Sequence, residues 1–539
     1  MRRRTITPTE ASPVSGVSPG RAARRDGVAP PRRWGLIAVA LLAFGFMLWK
    51  VDVDLPFVYN LDELYFTVPP LEHFMRGDFN PHAFYHPGTP FMYAVWLPLY
   101  ADYRIGAWTG RYADRAEFIA VHRRNPTFPI VAGRTLSSIF GAVSLFALYG
   151  IYRSLYGPAG ALAAAVFLAV FPMFAQQCRL ARTDAMALAL VLGTIYCALR
   201  SRRAGPAWGA AALFLAGLAT ATKYVALAAA VPAFLAWIWS VSAAPRRLPL
   251  YLLAPVLFAA GMFAGSPYLF LDVGTAARDF AEQSSFVTAG YPGLVVPAKI
   301  GWYFGRVLPT ACGGAAVPLL AVAGLGALSR KRRRETVLLL LFPLLYVLGI
   351  LSHSLRFPRY MFYLLPFAAL LAARFLEKLA EILFRRRPAR ARFFFWAATA
   401  AVAALPAARS LRTALELNEP DARTTAREWT EENVPAGSCI AYEAFCPPLH
   451  QLDGGRYRLL DTSWNRIVSK PLEYYSRRGC GYLVLSRDQR RAIERNSRRW
   501  PHARERYSRI DREGELIASP SGRLGRVVDI YRLPPPPEH

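Results

Sequence analysis

Along most of this chain, apolar and polar positions come in blocks rather than alternating residue by residue. Leu36 to Trp49, Ala159 to Phe174, Ala185 to Leu199, Val337 to Leu351 and Met361 to Ala373 are long apolar runs separated by short basic clusters. A helix rises about 1.5 Å per residue, so a run of about 20 apolar residues crosses a hydrocarbon core of about 30 Å. A single soluble core does not require such runs to recur. The pattern predicts a polytopic α-helical membrane protein.

The basic clusters give the direction. If the span after Arg32 and Arg33 runs outward, alternation brings Arg153, then Arg200, Arg202 and Arg203, then Arg246 and Arg247, then Arg330 to Arg334, then Arg385 to Arg392 to the cytosolic side. This reading gives about eleven transmembrane helices, a cytoplasmic N-terminus and an extracytoplasmic C-terminus. Residues 51–129 form a large first outer loop. The turns near 178–183, 222–224 and 353–358, and residues 268–297, share its side.

Three segments result. Residues 1–33, rich in Arg, Pro, Ser and Gly, read as a disordered basic cytosolic tail. No small-x-small cleavage site follows the first apolar run, so it reads as an uncleaved span opening the membrane domain, 34–410. Residues 411–539 read as an extracytoplasmic α/β domain, with a helix at Thr425 to Glu432 and strands at Ile440 to Tyr442, Tyr482 to Leu485 and Val527 to Tyr531. No Gly-rich turn joins a strand to a helix there, which argues against a nucleotide fold. No internal repeat of fixed short period is visible.

Composition agrees with membrane residence: 54% of the 539 residues are hydrophobic and 19% charged. The formal net charge of +29 does not mark a nucleic-acid partner. The arginines sit between apolar runs, where the positive-inside rule accounts for them, and not on a basic face with interleaved aromatics. Cys178, Cys197, Cys312, Cys439, Cys446 and Cys480 lack the paired spacing of a zinc site. Three of them lie in the C-terminal segment, where one disulfide can form, although sequence does not give its pairing. The plain reading is small buried residues.

Chemistry concentrates at the outer boundary. In Tyr59-Asn-Leu-Asp-Glu-Leu-Tyr65, the adjacent Asp62 and Glu63 stand in apolar and aromatic sequence just beyond the first span, followed by Tyr85-His-Pro-Gly-Thr-Pro90. A carboxylate there can accept a proton from an acceptor hydroxyl or hold an amine, and an ordinary solvated loop acid is the bland reading. Polar turns recur on the same side: Arg179-Leu-Ala-Arg-Thr-Asp184, Gly217 to Tyr224 with Lys223, and His353-Ser-Leu-Arg-Phe-Pro-Arg-Tyr360. Ionisable residues between spans serve a site or a structural pair, and long cations can also snorkel to the headgroups. His82 and His86, with acids nearby, are candidate metal ligands. Asp52-Val-Asp54 lies at the outer end of the first span, a poor place for a nucleotide-diphosphate metal site. Cys446-Pro-Pro-Leu449 reads as a turn.

In this order, these motifs resemble the GT-C glycosyltransferase superfamily, in particular its protein mannosyltransferase and aminoarabinose-transferase-like group. The resemblance rests on Asp62 and Glu63 in a long first outer loop, His86-Pro87, Arg179-x-x-Arg182-x-Asp184, Gly217 to Lys223, and Arg359-Tyr360 before Leu365-Pro366. It covers about 34–410 and implies a membrane glycosyltransferase, of the bacterial inner membrane, that moves a sugar from a polyprenyl-phosphate donor to a lipid, glycan or protein acceptor at the periplasmic face. Asp62 would act as base in an inverting displacement, with Glu63 beside it as a second catalytic acid that orients it or binds a cation. Arg182, Lys223, Arg356 and Arg359 would stabilise the leaving phosphate. His86, Arg179 and Asp184 would assist, Asp184 by pairing with an arginine. The group requires no cofactor and has no obligatory metal site, with a divalent cation left open.

The chain departs from the aminoarabinose type in carrying His86 where a lysine is usual, and Gly88 where a second proline is usual. Neutral hexose and pentose donors are therefore equally admissible. The rival class is a transporter or glycolipid flippase, which would place its ionisable residues on broken helices near mid-membrane rather than at the outer boundary.

Overall fold

A computed structural model describes residues 33–242, 248–289, 299–354, 356–443, 445–449, 455–461, 467, 470–494 and 502–534. The N-terminal tail, Arg246 and Arg247, and part of the 268–297 segment lie outside the described residues.

The apolar runs form helices. Among the described residues, six are long and apolar enough to cross a membrane: Thr127–Leu155, Asp184–Ala204, Tyr224–Val241, Arg333–Ser352, Pro358–Leu383, and the run that begins with Pro388–Leu415. Two further apolar pairs are bent, Pro158–Val170 with Pro172–Cys178 by 68° and Gly301–Ala311 with Ala316–Gly326 by 111°. Trp34–Leu48, Pro206–Thr222 and Leu250–Gly265 are apolar but shorter. Length and apolarity alone therefore qualify six to eight spans, fewer than the eleven that charge alternation suggests.

Small residues set how closely these helices pack. Ala161, Ala163, Ala164, Ala187, Ala212, Ala216 and Ala219 are fully buried between them. Where Pro206–Thr222 crosses Leu248–Gly265, a Cβ on Gly217 would lie 2.0 Å from the Phe258 carbonyl oxygen, and one on Gly261 would lie 2.0 Å from that of Phe214. Reciprocal glycines thus let two backbones touch, as small residues do between membrane helices. Gly217 belongs to the Gly217 to Lys223 motif, so its function there is to fix the helix that ends at Lys223.

The first outer segment is largely helical rather than an open loop. Leu61–Glu72, Thr89–Trp108 and Arg115–Arg124 pack around Phe66, Phe74, Phe91, Val95, Leu99 and Phe118, all buried. Asn60 caps the first of these, its side chain accepting from the Asp62 N–H at 3.3 Å. That cap puts Asp62 and Glu63 in the first turn, where negative charge suits the helix dipole.

The C-terminal domain is α/β, as expected. Strands β1 (Cys439–Tyr442), β2 (Arg458–Asp461), β3 (Cys480–Ser486), β4 (Glu515–Ala518), β5 (Ser521–Gly522) and β6 (Arg526–Arg532) form one sheet in the order β2-β1-β3-β6-β4, with β5 on β6. β1 runs parallel to β2 and β3, and β6 antiparallel to β3 and β4. Side chains alternate between faces: Cys439 and Ala441 enter one apolar cluster with Leu483 and Leu485, while Ile440 and Tyr442 enter the other with Val484. A disulfide joins Cys439 to Cys480 across β1 and β3. The remaining four cysteines are free and buried.

Candidate active site

The two adjacent acids of the first outer segment point in opposite directions. Glu63 is 1% exposed and fully engaged. Arg134 donates through Nε to Oε1 at 2.8 Å and through Nη2 to Oε2 at 2.9 Å, and the Ala181 N–H donates to Oε1 at 2.9 Å. Arg134 also donates to the Val51 and Val53 carbonyls at 2.7 and 3.0 Å. This bidentate pair ties the outgoing first span, the Asp62 helix and the Arg179–Asp184 turn to Thr127–Leu155. The expectation that Glu63 is a catalytic acid is thereby corrected. Buried and accepting three hydrogen bonds, it faces Arg134 and the 179–184 turn rather than the Asp62 cluster. Its partner Arg134 escaped the sequence reading, although a lone arginine inside an apolar helix was a usable signal.

Asp62 faces the other way, with its side chain 34% exposed. Its Oδ2 lies 3.0 Å from Arg182 Nη2 and 3.0 Å from Arg359 Nη1. Arg182 Nη2 also stands 3.5 Å from Asp184 Oδ2, and Lys223 Nζ lies 2.5 Å from Asp184 Oδ1. Four elements therefore converge: the capped Asp62 helix, the Arg179–Asp184 turn, the end of Pro206–Thr222, and the turn into Pro358–Leu364. The 179–184 turn is held from below, since Ser137 Oγ donates to the Arg182 carbonyl at 3.1 Å and Ser138 Oγ to that of Cys178 at 3.1 Å. Arg359 stacks over Phe357 at 4.5 Å, and Tyr346 donates to the Tyr360 carbonyl at 2.8 Å.

Burial alone would raise the Asp62 carboxyl, but Arg182, then Arg359, His86 and Lys223, outweigh it and hold it below its ordinary value. His86 borders the same cluster. His86 is solvent-exposed, and desolvation where it packs, with Lys223, Arg359 and Arg182 against the pull of Asp62, still holds its imidazole below its ordinary value. It is therefore a neutral donor or acceptor at physiological pH.

The segment carrying His86 is stitched at many points. Tyr65 donates to the Ala83 carbonyl at 3.1 Å, Tyr224 to the Phe84 carbonyl at 3.0 Å, and the Phe84 N–H to Asp279 at 2.7 Å. Thr89 and Ser266 hydroxyls meet at 2.9 Å. A Cβ on Gly88 would lie 2.4 Å from Phe66 and 2.9 Å from Thr183, so only glycine lets the segment lie this close to the 179–184 turn. That is the physical reason for glycine where a second proline is usual.

Arg179 and Arg356 take no part in the Asp62 and Asp184 ion pairs. Arg179 donates to the Phe46 carbonyl at 2.5 Å and stacks over the Phe46 ring at 4.9 Å, which anchors the first span rather than the charged cluster. Arg356 makes no ion pair among the described residues. It is 5% exposed, and its Nε and Nη1 have no hydrogen-bond partner among those residues. The pairing of His82 with His86 as metal ligands is also corrected: His82 turns away to Asp78, at 2.6 Å, while His86 faces Asp62. Asp54, of the Asp52-Val-Asp54 motif, pairs with Arg523 of the C-terminal domain, so it is a docking residue.

That domain grips the chain just before the Asp62 helix. Arg423 is paired with Asp421 at 2.7 Å, donates to the Tyr59 carbonyl at 3.0 Å and stacks over the Tyr59 ring at 4.2 Å. Tyr59 and Thr424 hydroxyls meet at 2.6 Å, and Arg427 covers Phe57 at 3.5 Å. Tyr59 directly precedes the Asn60 cap, so the C-terminal domain positions the helix that presents Asp62.

Residues 127–267 match the family described as dolichyl-phosphate-mannose-protein mannosyltransferase, a stretch that contains Arg134, the Arg179–Asp184 turn and Lys223. ArnT from Cupriavidus metallidurans, solved bound to undecaprenyl phosphate and in the apo state, superposes with a TM-score of 0.50 at 14% identity, covering 92% of this chain and 97% of that one. The Archaeoglobus fulgidus oligosaccharyltransferase gives a TM-score of 0.48 at 13% identity, over 85% of this chain and 70% of that one. No curated protein sequence matches the chain. The family match thus falls on the segment that builds the charged cluster, and the fold along nearly the whole length is that of the ArnT structure.

Proposed function

We propose that the chain transfers a sugar from a polyprenyl-phosphate donor to an acceptor at the periplasmic face of a bacterial inner membrane, inverting the anomeric carbon, with Asp62 as the base. The observation that carries this is the single Asp62 oxygen shared between Arg182 and Arg359, with Lys223 and Asp184 behind them. Cations grouped around one carboxylate at the ends of membrane helices suit a lipid-linked phosphate, and arginine suits phosphate by geometry as well as charge. Undecaprenyl phosphate is what the Cupriavidus metallidurans ArnT structure holds. The basic clusters at the opposite helix ends and the Cys439–Cys480 disulfide both favour an extracytoplasmic side for the site and the C-terminal domain.

A carboxylate held by two guanidinium groups is a weak base, since its proton affinity is depressed. The arrangement resolves this once a phosphate arrives. Arg182 and Arg359 turn to the phosphate oxygens, the negative charge of the donor lies near Asp62, and the carboxylate recovers basicity when the acceptor is present. The acceptor oxygen or nitrogen then forms a bond to the anomeric carbon as its proton passes to Asp62. The bond from that carbon to the phosphate oxygen breaks with its electron pair, and polyprenyl phosphate leaves, stabilised by the same cations. Arg356, buried with free donors, is a further phosphate contact on this reading. His86, neutral, is a hydrogen-bonding partner for sugar or acceptor.

The test is transfer of labelled sugar from a panel of polyprenyl-phosphate sugars in membranes containing wild-type chain or Asp62→Ala at equal abundance. Wild type should consume one donor class and the variant should lose at least about 100-fold in rate. Consumption of none would refute the donor class. Undiminished activity of Asp62→Ala would refute the base.

A further inference from the structure

Past the C-terminal end of the Asp62 helix, His73, Asp78 and His82 bring their ligand atoms within 4.8 Å of one another. We propose that these three residues form a binding site for a divalent transition-metal ion, Zn2+ foremost, that clips the turn leading into the His86 segment.

The backbone builds this cluster. His73 ends the Asp62 helix, and its carbonyl accepts from both the Arg76 N–H at 3.0 Å and the Asp78 N–H at 3.1 Å. Gly77 makes that turn possible in the left-handed region, at φ 93°. Asp78 Oδ1 accepts from the Asn80 N–H at 3.0 Å, which leaves Oδ2 directed at His82. Asn80 Oδ1 in turn accepts from the His82 N–H at 3.0 Å. His82 itself is left-handed, with φ 54°, a conformation disfavoured for a residue bearing a Cβ. It brings Nε2 to 2.6 Å from Asp78 Oδ2 and its ring to 5.3 Å from that of His73.

Two imidazoles and one carboxylate are the donor set of open zinc sites, in which solvent fills the fourth position. Ligand atoms of a tetrahedral zinc ion lie about 3.4 Å apart, given bonds of about 2.0 to 2.1 Å. Rotamer adjustments of roughly an ångström at these side chains reach that geometry. On binding, the proton shared between His82 and Asp78 leaves the contact, for the other ring nitrogen or for solvent, and the metal bridges the two atoms instead. The side chains of Asp78 and His82 are about half exposed, so an ion and its water have access. A supporting layer is present too: Asn80 Nδ2 donates to Asp272 at 2.9 Å, which joins this turn to the start of Val273–Ala289.

The experiment uses untagged full-length chain in detergent, stripped with a chelator and titrated calorimetrically with Zn2+. Wild type should bind one equivalent, and His73→Ala and His82→Ala should each weaken binding at least about 100-fold, with Asn80→Ala weakening it by about 10-fold or more. His502→Ala, in the C-terminal domain, should bind as wild type does. Absence of stoichiometric binding by wild type, or full binding by the His73 and His82 variants, overturns the site. Should those variants unfold, Co2+ added to wild type decides. An intense visible spectrum of a four-coordinate nitrogen and oxygen site supports the proposal, and the pale six-coordinate aquo spectrum contradicts it. Zn2+ binding is read without any transfer assay, so its failure and the failure of the glycosyltransferase mechanism are separate results.

Discussion

At one end of the helical domain Arg374 donates to Glu377 at 2.6 Å, Tyr152 donates to the same oxygen at 2.8 Å, and the guanidinium stacks over Tyr156 at 4.3 Å. At the other end one oxygen of Asp62 is shared by Arg182 and Arg359, with Lys223 on Asp184 beside them. The first cluster matches one cation to one anion. The second has three cations for two carboxylates, and the Nε atoms of Arg182 and Arg359 have no hydrogen-bond partner among the described residues. A closed pair of this kind fixes a helix crossing. A cluster left one positive charge in excess can take up an anion, as the proposed donor phosphate requires. The same contrast runs through a single turn of helix, where Glu63 is closed by Arg134 and Asp62 is not.

Several measurements sharpen or break this contrast, and the largest effect falls on Asp62. Asp62→Asn keeps the shape and removes the proposed base, so the transfer rate should fall by about 10²- to 10⁴-fold while the melting temperature holds. A parallel loss of folded protein would make Asp62 structural, like its neighbour. Glu63→Gln should do the reverse. Leaving Arg134 buried without its counter-charge costs about 3 to 5 kcal/mol of stability, seen as a lower unfolding midpoint. If Glu63→Gln folds normally yet cannot turn over, Glu63 regains the catalytic part denied to it here.

Arg359→Gln should raise the transfer barrier by about 2 to 4 kcal/mol, whereas Arg374→Gln should spare turnover in whatever protein folds. Smaller again is the pH effect. The Asp62 carboxyl is held below its ordinary value in the free protein. With Asp62 as the proposed base, its ionised form is lost only as pH falls through that lowered value, so kcat/KM should stay flat from about pH 8 down to about pH 5. Once a phosphate has drawn the arginines away, the carboxyl rises, so the acid limb of kcat should lie at higher pH than that of kcat/KM. Coincident limbs would show that the arginines stay on Asp62 throughout.

The long apolar runs and the α/β domain were legible because each follows from local periodicity. That Asp62, Arg182, Lys223 and Arg359 would meet was legible because ionisable residues are costly beside apolar helices and recurred on one side. Partner choice was not legible. Glu63 and Arg134 are 71 positions apart, and nothing in the Asp62-Glu63 pair tells which acid the arginine takes. His82 and His86 are four residues apart, yet the left-handed backbone at His82 turns it away from the charged cluster. Gly88 looked like an anomaly in a proline-rich motif until Phe66 and Thr183 stood where a side chain would go. The hold of Arg423 on Tyr59 joins residues 364 positions apart and left no local trace.

The most direct measurement is the affinity of a short-chain polyprenyl phosphate for wild type, Asp62→Asn and Arg359→Gln. If Asp62 competes with phosphate for shared arginines, Asp62→Asn should bind the phosphate as tightly as wild type or more tightly while losing transfer, and Arg359→Gln should bind it more weakly. If Asp62→Asn weakens binding as much as Arg359→Gln does, the carboxylate belongs to the donor's anchor, and its assignment as the base is wrong.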